Sequence, residues 1–68
     1  MNPKLDRTNV GDLVQWTNTR SYDYFNGEKC YGIILQKMEE FEYWVFARVL
    51  DIKGRRQEVM IYKKDNPL

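Results

Sequence analysis

Apolar and polar residues alternate over short runs of this chain. No window of about eleven residues sustains the i, i+3, i+4 stripe of an amphipathic helix. The pattern predicts strands. A turn at Val10-Gly11-Asp12 feeds the first, Leu13 to Thr17, with Val10, Asp12, Val14 and Trp16 facing opposite to Leu13, Gln15 and Thr17. The second covers Tyr31 to Met38, with Ile33, Leu35 and Lys37 opposite Ile34, Gln36 and Met38, and Glu39-Glu40 is expected to turn the chain. The third, Phe41 to Leu50, is rich in the aromatic and β-branched residues that suit a pleated surface. Its face of Tyr43, Val45, Ala47 and Val49 is the expected core, leaving Trp44, Phe46, Arg48 and Leu50 on the other side. Asp51-Ile52-Lys53-Gly54 then closes a hairpin in which Gly54 supplies a positive φ. The fourth strand, Arg55 to Tyr62, alternates Val59 and Ile61 against Arg56, Glu58, Met60 and Tyr62.

The intervals organise the chain into an N-terminal arm (1–9), one domain (10–62) and a polar tail (63–68) containing Pro67. Between the first two strands, Asn18 to Lys29 forms a long loop that holds Tyr22, Tyr24 and Phe25. Loops of that length in a small domain usually serve a function or are ordered by their own side chains. Short strands with frequent turn signals imply an all-β fold. A chain of 68 residues buries only about 60% of its extended surface, so its core is thin. The expected architecture is a small barrel of four to five antiparallel strands, because curling one sheet on itself removes exposed edges.

Val10-Gly11-Asp12-Leu13-Val14-Gln15-Trp16, then Tyr31-Gly32-Ile33-Ile34-Leu35, then Ala47-Arg48-Val49-Leu50 before a glycine hairpin, resembles small SH3-like barrels. The order is similar to that of the short barrel proteins of tailed bacteriophages, and to the KOW and Tudor groups, over residues 10 to 62. The resemblance implies a long loop after the first strand, the place that Asn18 to Lys29 fills. It also implies a closing helical turn and a fifth strand, whereas this chain reaches Asn66-Pro67-Leu68 directly after the fourth. The barrel is therefore expected to be incompletely closed, or to be completed by the arm around Leu5 or by a neighbouring chain. An open edge would invite a partner strand. The superfold hosts many unrelated roles, so the resemblance speaks to fold more than to function.

Composition narrows the chemistry. The chain has no histidine and a single cysteine, Cys30. A Ser-His-Asp or Cys-His site cannot be assembled within one chain, nor can an intramolecular disulfide or a structural zinc site. Glu39, Glu40 and Glu42 read as a solvated turn rather than as a carboxylate pair across a cleft. An enzyme is not expected, and neither is a cofactor or a metal. Met1-Asn2-Pro3-Lys4 is followed by no apolar stretch, and the longest apolar runs are too short to cross a bilayer. A cytoplasmic location, in the host or in a virion, is the expectation, with Cys30 a reduced structural thiol and no membrane association.

Two surfaces stand out. The aromatic one comprises Tyr22, Tyr24 and Phe25 in the loop with Trp44 and Phe46 opposite the expected core. Large rigid aromatics anchor interfaces, although the same loop could fold back and cap a thin core. Trp16 reads as core. The basic surface arises from a charge division: net charge is +1 overall, but from Asp51 onward five basic residues face three acidic ones. Lys53, Arg55, Arg56 and Tyr62 could hold phosphates and stack a base. A solvated hairpin tip explains them equally well. The expected function is a non-enzymatic protein-binding module, phage-encoded, whose partner is a copy of itself, a virion component or a host protein. The alternative is an RNA- or DNA-binding barrel using the basic hairpin.

Overall fold

In the computed structural model, which describes residues 6–18 and 27–68, the alternating runs become one curled antiparallel sheet. Its four strands are β1 (Leu13–Asn18), β2 (Glu28–Glu40), β3 (Trp44–Asp51) and β4 (Arg56–Tyr62), adjacent in chain order. A 3-10 turn, Lys63–Asp65, follows β4. The architecture is all-β, an open half-barrel. No helix among the described residues is long and apolar enough to cross a membrane.

The concave side of the sheet holds the core. Val14 and Trp16 of β1, Ile34 of β2, Val45, Ala47 and Val49 of β3, and Ile61 of β4 are buried together, with Cys30 and Val59 packed against them. The expected core face of β3 is correct from Val45 to Val49. Tyr43 departs from it, being 49% exposed. It lies in the turn before β3, where the Phe41 N–H donates to the Trp44 carbonyl at 2.8 Å, and the Lys64 ammonium sits 5.2 Å from its ring centre.

β2 runs well past the expected Tyr31–Met38 segment, because two β-bulges let it bend and keep pairing. The register with β3 shifts between Ile34 and Gln36 and again between Lys37 and Glu39. Each bulge inserts one residue and reverses which face the next side chain takes. Gln36 therefore pairs with Arg48 on the outer side and Lys37 with Ala47 on the inner side, the reverse of simple alternation from Ile34. Glu39 and Glu40, expected to turn the chain, pair instead with Phe46 and Val45. Here Glu40 meets Lys37 and, at 3.2 Å, Lys63. The Lys37 hydrogen bond, and then Lys63, hold its carboxyl at about 2, well below its ordinary 4.5, against the opposing effect of partial desolvation.

The segments flanking the sheet also pack. Asn66 is 1% exposed, and its side-chain amide behaves like a strand residue toward β1. The Gln15 N–H donates to Asn66 Oδ1 at 2.8 Å, and Asn66 Nδ2 donates to the Gln15 carbonyl at 3.0 Å and the Tyr62 carbonyl at 3.1 Å. The Arg7 N–H donates to the Asn66 carbonyl at 2.7 Å, and Asp6 bridges Pro67. One amide thus ties β1 to the end of β4 where a fifth strand was expected.

Candidate functional site

The outer face of the sheet takes the residues that alternate with the core. Register aligns Leu13, Ile33, Leu50 and Arg56 in one row across all four strands. With strands roughly 4.8 Å apart, the first three side chains form a continuous apolar ridge. Leu13 is 56% exposed and Ile33 42%, while Leu50 is half-buried. Tyr31 and Leu35, also exposed, follow Ile33 along β2 on either side. The next row is polar: Arg48 donates to Glu58 at 3.1 Å and reaches Gln36 at 3.4 Å. Beyond it Phe46 stands opposite Met60, and Trp44 packs on Tyr62 with ring centres 4.8 Å apart.

The β3–β4 hairpin is held by one carboxylate. Asp51, buried, accepts the backbone N–H groups of Lys53 and Arg55 at 2.9 and 2.8 Å, Nε of Arg55 at 3.1 Å, and the Gln57 amide. The Arg55 N–H is the main cause of its lowered pKa, with Gln57, the Arg55 side chain and the Lys53 N–H adding to it against desolvation. Gly54 adopts φ 82° and completes the turn as expected. The Ile52 N–H donates to the Tyr31 carbonyl at 3.0 Å, which seats the hairpin against β2 and leaves Ile52 73% exposed beside the ridge. A groove of about 230 Å³ opens below, lined among others by Lys29, Cys30, Tyr31, Lys53 and Arg55.

The predicted site residues separate. Tyr22, Tyr24 and Phe25 lie outside the described residues. Trp44 and Phe46 share the outer face but are half-buried among their neighbours. Of the basic set, Lys53 and Arg55 share the groove, with Arg55 tied to Asp51. Arg56 stands on the outer face, and Tyr62 lies at the far end of β4, about 20 Å from Arg56 for an extended strand. Tyr31, not Tyr62, is the aromatic next to the hairpin cations. The ridge of Leu13, Ile33 and Leu50 was not singled out from sequence. Its signal was there: Leu13-Val14 and Ile33-Ile34-Leu35 are apolar on both faces, more than a one-sided sheet requires. No protein-family model, curated protein or solved structure matches the chain.

Proposed function

We propose that this protein is a non-enzymatic binding module that docks a protein partner onto the outer face of its sheet. One observation carries the reading: Leu13, Ile33 and Leu50 align across three strands on the side away from the core, flanked by exposed Tyr31, Leu35 and Ile52. Single exposed apolar residues are ordinary, but a contiguous group rimmed by charged residues is characteristic of interaction surfaces. The complementary partner is an apolar protein surface with a polar rim. The resemblance to short phage barrels makes a virion component or a host protein the first partner to look for. The test is site-specific photo-crosslinking in the native host from positions 13, 33 and 42. A shared adduct from Leu13 and Ile33, absent from exposed Glu42 in the β2–β3 turn, is expected. Equal labelling from all three positions defeats the reading.

A second reading rests on the groove that brings Tyr31 to Lys53 and Arg55, a stacking ring beside cations. It requires single-stranded RNA or DNA binding that weakens steeply with salt. Tyr31→Ala should abolish that binding while leaving the fold intact; salt-independent binding, or none, rules it out.

A further inference from the structure

Among the described residues, the outward edge of β4 is occupied toward its Tyr62 end. The Asp51 N–H donates to the Arg55 carbonyl, and the Lys63 N–H donates to the Tyr43 carbonyl, so odd-numbered residues of β4 hydrogen-bond to β3. The backbone groups of Arg56, Glu58, Met60 and Tyr62 consequently point away from the sheet. The Tyr62 carbonyl is taken by Asn66, and Met60 is engaged as well. Arg56 and Glu58 are different. Among the described residues their outward N–H and C=O groups have no partner, and an open depression of about 570 Å³ lined by Arg48, Arg56, Gln57 and Glu58 lies alongside.

Charged residues on an edge normally discourage pairing with another strand. Here the charges are opposite in sign and two residues apart on the same face, which makes the edge complementary to itself. Two antiparallel copies centred on Gln57 place Arg56 of each directly opposite Glu58 of the other. Their outward backbone groups then exchange hydrogen bonds in both pairs. The neighbouring two-fold registers set Arg56 against Arg56 or Glu58 against Glu58, which like charges disfavour. In the favoured register each Glu58, already bound to Arg48 at 3.1 Å, gains a second arginine.

We propose that this stretch of β4 is a self-recognition edge, pairing two copies of the chain into one continuous sheet about a two-fold axis at Gln57. The contact involves about three residues per copy, far below the roughly 1,000 Å² of a stable interface, so the dimer is weak. It uses the edge and not the outer ridge, so it stands or falls apart from the function proposed above.

The test is a dilution series followed by NMR and sedimentation, up to about 1 mM, the range in which such weak pairing is populated. The Arg56 and Glu58 amide signals of the wild-type protein should shift with concentration and the sedimentation coefficient should rise. Arg56→Glu and Glu58→Arg should each weaken self-association at least about tenfold, a difference of about 1.4 kcal/mol. An equimolar mixture of the two variants should associate at least as well as wild type, because each edge is then complementary only to the other. Ile33→Glu, on the outer ridge, should leave pairing unchanged. A wild-type protein that stays monomeric across the series, or variants that associate as well alone as wild type does, overturns the proposal.

Discussion

The side-chain amide of Asn66 carries the same donor and acceptor as a peptide unit and uses both on Gln15. Its burial excludes water from those bonds, so losing the amide leaves the Gln15 N–H and C=O and the Tyr62 C=O without partners. Orphaning buried polar groups costs about 1 kcal/mol or more each, so Asn66→Ala should destabilise the fold by about 3 kcal/mol. Asn66→Asp should cost more, because its carboxylate keeps the acceptor for Gln15 but turns an oxygen on two carbonyls. Urea denaturation reads the order directly. Wild-type stability in the Asp variant would mean the two donated bonds contribute nothing. From sequence Asn66 was one polar residue in a tail; only its position against β1 gives it this role.

At the scale of the strand, β2 decides the shape. Gly32 faces inward beneath Trp16, and a Cβ there would collide with the Leu50 carbonyl oxygen and lie 2.9 Å from both Asp51 Cα and the Trp16 ring. The absence of a side chain is what lets β1 and β3 close over this strand. Gly32→Ala should therefore cost roughly 2–3 kcal/mol and displace Trp16, seen as altered indole fluorescence in a Trp44→Phe background. An unchanged spectrum and midpoint would show that the site relaxes freely. The existence of all four strands was legible, because period-two alternation survives locally in each. The two bulges were not. A bulge changes which residue faces the core without changing any residue's own preference, so it is set by pairing with β3 rather than by β2.

At the scale of the whole molecule, two carboxylates of the described residues link folding to pH. Glu40 and Asp51 both have pKa values lowered on folding, the first by Lys37 and Lys63 and the second chiefly by the Arg55 N–H. A carboxyl with a folded pKa below its unfolded one contributes fully above the unfolded value, and that contribution disappears as pH falls through the folded value. Stability should thus be level near neutrality and fall between pH 4.5 and about 2. Glu40 is substantially exposed, so its share should shrink as salt screens the lysines. Denaturation midpoints across that range should fall less steeply for Asp51→Asn than for wild type. Parallel curves would remove Asp51 from the account.

The sequence by itself determined the all-β class, the small curled sheet, the presence of its four strands, the inward face of β3 from Val45 to Val49, and the glycine turn at Gly54. Each rests on side-chain periodicity or on a backbone constraint that acts within a few residues. Only the tertiary structure decided that Leu13, Ile33 and Leu50 form one outer ridge and that Tyr31 rather than Tyr62 stands beside Lys53 and Arg55. It also decided that Asn66 joins β1 to the end of β4 and that the backbone groups of Arg56 and Glu58 point to the outward edge of β4. Those features depend on register between distant segments, and register is fixed by the packing of the whole sheet around Trp16 and its neighbours.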